Sequence, residues 1–157
     1  MIQNFSNIKV QTIGQNLYEL TSDIIKWIEI NKLRNGIINI SIQHTSASLI
    51  IQENADPDVK KDLLNFFNKL VPMDNSRYEH STEGKDDMPA HIKSSITNNQ
   101  ISISVKNGQM LLGTWQGVYL FEHRLNSQNR TVILHYLGYL FFLIFLNASK
   151  AAFLALA

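Results

Sequence analysis

The apolar residues of this chain change period several times, and each change marks an element. Ile8 and Val10 stand two apart among polar neighbours, which predicts an early strand. Thr21-Ser22-Asp23 is a helix-start cluster. Ile24, Ile25, Ile28 and Leu33 recur behind it at helical spacing, and Gly36 is placed to stop the helix. Ile38, Ile40 and Ile42 alternate with polar residues as a half-buried strand, which runs through His44-Thr45-Ser46-Ala47-Ser48 into Leu49-Ile50-Ile51. Asp56 is a cap and Pro57 suits the first helical position, where a missing N–H leaves nothing unpaired. Val59, Leu63, Phe66, Phe67 and Leu70 line one face of that helix, and Pro72 ends it.

Pro89 starts a short helix that runs through Ile96. Ile101, Ile103 and Val105 alternate as a strand. Asn107-Gly108 then gives the strongest hairpin signal, because both residues tolerate positive φ, and the partner strand carries Leu111 and Leu112. Val118 to Glu122 and Thr131 to Tyr136 form a further strand pair, joined by Asn126-Ser127-Gln128-Asn129. Helices interspersed among strands, with a tight hairpin, predict a single α+β domain with a largely antiparallel sheet.

The end of the chain differs. Thr131 to Ser149 contains no charged side chain, and Tyr139 to Leu146 is wholly apolar. About twenty apolar residues can cross a bilayer, so a C-terminal membrane anchor is one expectation. The favoured expectation makes residues 131–137 a core strand, since a buried strand also reads as a continuous apolar run. Residues 139–157 are then a hydrophobic tail packed on the domain or on another subunit.

Composition narrows the chemistry. The 157 residues contain 14 basic and 13 acidic side chains, a net charge of +1, so no global field favours nucleic acid or an anionic membrane. The absence of cysteine excludes disulfides, thiolate metal sites and a sulfur nucleophile. Any metal must use nitrogen and oxygen ligands. Met1 to Val10 lacks a basic stretch followed by an apolar core, so a cytoplasmic protein is expected.

Against this sparse charge, His80-Ser-Thr-Glu83-Gly84-Lys85-Asp86-Asp87-Met-Pro-Ala-His91 gathers two imidazoles, three carboxylates and an ammonium around one glycine. Histidine transfers protons near neutral pH or ligates metals. His91 falls in the first turn of the Pro89 helix, whose dipole disfavours imidazolium and leaves a neutral ring to ligate a metal or accept a proton. Asp86 and Asp87 precede that helix. One suffices to cap it, and the other is free for a divalent cation or a proton. Oxygen ligands suit Mg²⁺ and imidazoles suit Zn²⁺, so the mixture leaves the metal open. Glu83 can orient an imidazole or act as a base. His44 ends a strand, a good place for a ligand-binding ring if His80 and His91 converge on it. Gly113-Thr114-Trp115-Gln116-Gly117 suggests a bulge or a close ligand approach, with Trp115 to stack on a planar ring and Gln116 to read its edge. Arg124, after Glu122-His123, can hold an anion bidentately. Phosphate-binding glycine loops, His-Glu-x-x-His and Gly-x-Ser-x-Gly are all missing.

Ordered blocks carry a resemblance. His44-Thr45-Ser46-Ala47-Ser48, Asn54-Ala55-Asp56-Pro57-Asp58-Val59, Leu70-Val71-Pro72 and Tyr78-Glu79-His80 are followed by Glu83 through His91. Gly108-x-x-Leu111-Leu112-Gly113-Thr114-Trp115-Gln116-Gly117-Val118-Tyr119-Leu120 and Glu122-His123-Arg124 complete the set. The chain resembles the YjbQ-like family, also called secondary thiamine-phosphate synthase proteins, over a domain spanning 1–138. Residues 139–157 lie outside the family pattern. The resemblance implies an α+β homotrimer with sites near subunit boundaries. It also implies a weak transferase activity of thiamine biosynthesis, coupling hydroxymethylpyrimidine diphosphate to thiazole phosphate with release of diphosphate. The motif positions it carries onto this sequence are His44, His80, Glu83, Asp86, Asp87, His91, Trp115, Gln116 and Glu122; from their chemistry the first six are expected to be catalytic and the last three to bind substrate. A metal, Mg²⁺ or Zn²⁺, would sit on His44, His80 and His91. The alternative is a non-catalytic trimer that holds a metal or a phosphorylated metabolite.

Overall fold

The structure is a computed structural model that describes residues 1–139. The tail, and with it the expectation of an anchor or packed helix over 139–157, lies outside the described residues beyond Tyr139. Alternation sets the layers. Strands β1 (Ile2–Gln11), β3 (Asn35–Ile42), β5 (Gln100–Lys106), β6 (Gln109–Met110) and β8 (Asn129–Tyr139) form a five-stranded sheet in the order β1-β8-β3-β5-β6. Strands β2 (Asn16–Glu19), β4 (Ala47–Glu53) and β7 (Gln116–Glu122) form a second sheet in the order β2-β7-β4. Every pairing is antiparallel. Among the described residues three α-helices, α1 (Thr21–Ile30), α2 (Pro57–Leu70) and α3 (Asp87–Ser95), complete an α+β fold.

The main core takes Ile38, Ile40 and Ile42 of β3, Val132, Leu134 and Tyr136 of β8, Leu49 of β4, Val118 and Leu120 of β7, and Ile24 and Ile28 of α1. On the other face of β7, Tyr119 and Phe121 join Leu17 against Leu63, Leu64 and Phe67 of α2. Strand β7 is thus covered on both sides, which is why it reads as a continuous apolar run.

Several expectations change here. The segments 118–122 and 131–136 do not pair with each other: β7 lies between β2 and β4, and β8 between β1 and β3. The polar residues joining them cross from one sheet to the other instead of closing a hairpin. Helix α1 stops at Ile30, not at Gly36. Lys32 takes φ 53°, and the N–H groups of Lys32 and Leu33 return to the carbonyls of Glu29 and Ile28. This is the left-handed helix ending usually built on glycine. Thr21 does not cap α1; its hydroxyl receives the Val118 N–H at 2.9 Å. Gly36 sits inside β3, where a Cβ would press on the Leu137 carbonyl of β8. The inward face of α2 is carried by Leu63, Leu64 and Phe67, whereas Phe66 and Leu70 are exposed. Past the Asn107-Gly108 turn, β6 is only Gln109–Met110, with Leu111 and Leu112 beyond it. The Asp56 cap and Pro57 start of α2 are as the sequence predicts, with the Asp58 N–H donating to Asp56 at 2.8 Å.

Candidate cation centre

The start of α3 and the end of β7 meet, and Asp87 lies at the meeting point. As the first residue of α3 its side chain is only 2% exposed. Its Oδ2 lies 2.8 Å from His80 Nε2 and 3.3 Å from His91 Nε2. Its Oδ1 accepts from the Arg124 guanidinium. The same guanidinium donates from Nε to Asp86 Oδ2 at 3.0 Å and from a terminal nitrogen to the Glu83 carbonyl at 2.9 Å. Asp86 also accepts the Leu125 N–H at 2.8 Å. Burial works against the Asp86 carboxylate, but the hydrogen bonds from Leu125 and Arg124 outweigh it and hold its carboxyl below the usual range. Neither aspartate caps α3 through its side chain as expected, because both are taken by Arg124.

The His91 ring is oriented from behind. Its Nδ1 lies 3.0 Å from the Thr45 carbonyl, which can only accept, so Nδ1 carries a proton. In the neutral ring the Nε2 lone pair then faces a carboxylate oxygen. Two electron-rich atoms at 3.3 Å call for a cation between them, either a proton or a metal ion. His80, Asp87 and His91 each present one ligand atom, all within 4.8 Å of one another. Two imidazoles and one carboxylate suit Zn²⁺ or Fe²⁺ better than Mg²⁺. The backing carbonyl behind His91 and the arginine behind Asp87 are the outer partners such ligands normally have.

The other predicted residues fall elsewhere. Glu83 is at the rim, its Oε1 3.9 Å from His80 Nε2. Gly84, at φ 109°, gives its carbonyl to the Asp87 N–H. His44 does not join His80 and His91: its Nε2 accepts the Thr131 N–H of β8 at 3.0 Å. Burial, helped by nearby Arg130, pushes the His44 imidazole below its ordinary pKa. Among the described residues the cluster that could hold a metal ion is therefore His80, Asp87 and His91, where the expectation was His44, His80 and His91. Glu122 is fully buried and engaged on both oxygens. It accepts from Arg130 Nε at 2.7 Å, from an Arg130 terminal nitrogen at 2.6 Å, from the Thr12 hydroxyl at 3.0 Å, and from the N–H groups of His123 and Arg124. Trp115 and Gln116 lie at the opposite end of β7, about 20 Å from Glu122 at the usual rise per strand residue. Trp115 is 64% exposed, and Gln116 Oε1 accepts the Gly113 N–H at 2.7 Å.

Arg124, expected to hold one anion bidentately, instead divides its guanidinium between the carboxylates of Asp86 and Asp87. Sequence reasoning also passed over two buried groups behind the centre. Lys93 is fully buried on α3 and donates to Asn68 at 2.6 Å, and burial pushes its ammonium down to about 8. The His123 ring lies 2.9 Å from the Ser48 hydroxyl through Nε2, and burial pushes it down to about 3. The helical spacing of Lys93 from buried Ala90 was the available signal.

A family model described as UPF0047 protein YjbQ-like matches residues 6–139. The chain belongs to the YjbQ/UPF0047 family. The UPF0047 protein sll1880 of Synechocystis is 50% identical over 129 residues, 82% of this chain and 88% of that one. The UPF0047 protein YjbQ of Escherichia coli O157:H7 is 43% identical over 121 residues, 76% of this chain and 87% of that one. A crystal structure of an uncharacterised yjbq/upf0047 family protein from Clostridium acetobutylicum superposes with a TM-score of 0.77 at 31% identity. It covers 84% of this chain and 99% of that one. These names state a family and no reaction. The YjbQ match takes in the whole cluster from His80 to Arg124. Among the described residues no helix is long and apolar enough to cross a membrane.

Proposed function

We propose that this YjbQ-family protein holds a divalent cation on His80, Asp87 and His91 and acts with it on a small organic diphosphate. The specific form of that activity is transfer of the thiamine-phosphate synthase type. The carrying observation is the His91 ring, whose Nδ1–H is given to the Thr45 carbonyl so that Nε2 faces Asp87. A divalent cation there supplies charge neutralisation for a departing diphosphate. In the transfer, the C–O bond to diphosphate breaks with its electron pair going to the leaving group. The thiazole nitrogen then forms the new bond to the pyrimidinylmethyl carbon.

The residues of this chain divide that work. Arg124 fixes Asp86 and Asp87 and has little left to give a substrate, so it positions the acids. His80 is taken by the cation, and Glu83, at the open rim, is within reach of a proton on an incoming phosphate. His44, held by Thr131 with its proton on Nδ1, serves as a neutral donor and not as a ligand. Trp115 and Gln116 can serve the same centre only from a neighbouring copy, which fits the homotrimer implied by the resemblance.

One set of observations favours the second reading, a trimer that binds a metal or phosphometabolite without turnover. Glu122 has no oxygen to spare, and Trp115 stands far from the acids within the subunit. Elemental analysis and a thiamine-phosphate assay on wild type and His91→Ala separate the readings. About one ion per chain, together with product formation, both lost in the variant, is expected. An ion without product selects the binding trimer. No ion in wild type after incubation with Zn²⁺, Fe²⁺ or Mg²⁺ overturns the metal centre.

A further inference from the structure

The end of β8 remote from Tyr139 carries hydrogen-bond donors without acceptors. Thr131 lies there, opposite Lys9 of β1, and its hydroxyl accepts from the Lys9 ammonium at 2.8 Å. Its N–H goes to His44 Nε2 at 3.0 Å. A neutral imidazole that accepts through one nitrogen carries its proton on the other. His44 Nδ1 is therefore a donor, and among the described residues nothing accepts from it. Arg130 stands next to Thr131 in the chain and is 4% exposed. Its Nε and one terminal nitrogen are taken by Glu122, and the same terminal nitrogen reaches the Ser46 hydroxyl at 3.1 Å. Its other terminal nitrogen has no acceptor among the described residues. Ser46, which accepts from Arg130, has its own proton left to give.

We propose that Lys9, His44, Ser46 and Arg130 seat a phosphate group, free or carried as a monoester by a small metabolite. The ligand class follows from what these residues have left over. An ammonium, a ring N–H, a hydroxyl and a guanidinium N–H can all donate. Glu122, the acid nearby, has both oxygens engaged. Such a set repels a metal ion, whereas a phosphate monoester brings roughly two negative charges and three acceptor oxygens at neutral pH. Hydrogen bonds from charged donors to such oxygens are the strong ones. The field has the matching sign. Burial lowers the His44 pKa most, Arg130 lowers it by more than Glu122 raises it, and Lys9 adds to Arg130. The potential at the ring is thus positive. One short loop separates this seat from the His80–Asp87–His91 cluster. Thr45 turns its carbonyl to His91, while His44 and Ser46 on either side of it turn to β8. Nothing in the seat calls on a bound cation, so the two sites stand or fall separately.

The test uses the full chain in a metal chelator, which empties any cation site and leaves the seat intact. Inorganic phosphate and phenyl phosphate are titrated into it calorimetrically at fixed ionic strength. We expect one binding event per chain, weakened about tenfold in Lys9→Gln and in His44→Phe. Lys9 is exposed, so its replacement leaves folding alone. Arg130 is buried against Glu122, and its removal would report on folding in place of binding. Nitrogen NMR of the histidine rings locates the ligand: saturating phosphate should move the His44 Nδ1 signal and leave those of His80 and His91 in place. Binding of both ligands assigns the seat to a phosphorylated metabolite, and binding of inorganic phosphate alone assigns it to the free ion; either upholds the seat. Three results overturn it: no binding at millimolar phosphate, equal affinity in wild type and Lys9→Gln, or a shift at His80 or His91 with His44 unmoved.

Discussion

Replacing Asp87 with asparagine keeps the side-chain volume and removes its charge, so it tests one group at the crossing of three partners. His80 and His91 lose the oxygen they share, and Arg124 keeps only Asp86 and the Glu83 carbonyl. Removing one member of a buried pair costs about 3–5 kcal/mol. Because Asp86 remains, we expect about 3 kcal/mol for Asp87→Asn, measured by urea unfolding without added metal. His123 gives a second residue-level prediction, in pH. Its folded pKa of about 3 lies below the ordinary value of 6.5, so between these values the unfolded chain holds a proton that the folded chain does not. Stability therefore falls as pH falls through that window. Between pH 6.5 and 4.5 wild type should lose about 2 kcal/mol more than His123→Gln. Matching slopes in the two proteins would remove His123 from the account. At this scale the sequence was legible where partners are close along the chain. His80, Asp87 and His91 share one loop and one helix turn, so spacing alone gathered them. The Thr45 carbonyl, Arg124 and the isolation of His44 follow from strand pairing across many tens of residues, which no local spacing encodes.

At the level of elements, the end of α1 shows what a residue-type signal leaves out. Glycine is the usual marker of a left-handed helix ending, and Gly36 drew the boundary toward itself. The turn is made at Lys32 with φ 53°. A non-glycine residue held there costs about 1–2 kcal/mol. Lys32→Gly should therefore raise stability by about 1 kcal/mol, allowing for the extra freedom of glycine in the unfolded chain. An unchanged urea midpoint would mean that Lys32 has side-chain contacts worth as much as the strain. The strands were legible as strands, because alternation at Ile38–Ile42 and Ile101–Val105 reports a sheet with one face buried. Their partners were not legible. Two neighbouring apolar stretches with a polar connection invite a hairpin, whereas β7 and β8 part to different sheets. The full burial of β7 by the core on one side and α2 on the other was the one clue, since a strand covered twice belongs in the middle of a layered stack.

At the scale of the whole molecule, the His80–Asp87–His91 cluster and Trp115 occupy opposite ends of β7, so the proposed shared site requires subunits to meet. Mixing His91→Ala with Trp115→Ala under exchange conditions tests this. If each site takes its tryptophan from a neighbour, some sites in mixed assemblies combine an intact His91 with an intact Trp115. Thiamine-phosphate formation should then rise above the mean of the separate variants. Activity that stays at that mean places Trp115 outside the reaction.

The strand order carries one more consequence. Among the described residues the last strand, β8, lies between the first and the third, with Ile2 opposite Gly138 and Gln11 opposite Asn129. On the ribosome, the early edges of this sheet must wait unpaired until nearly the entire domain has left the exit tunnel. Assembly is thus a late event governed by contacts of very long sequence separation, which makes it slow. A message cut short before residue 129 yields a nascent chain with no partner for its first ten paired residues, and such a product is a client for chaperones or proteases.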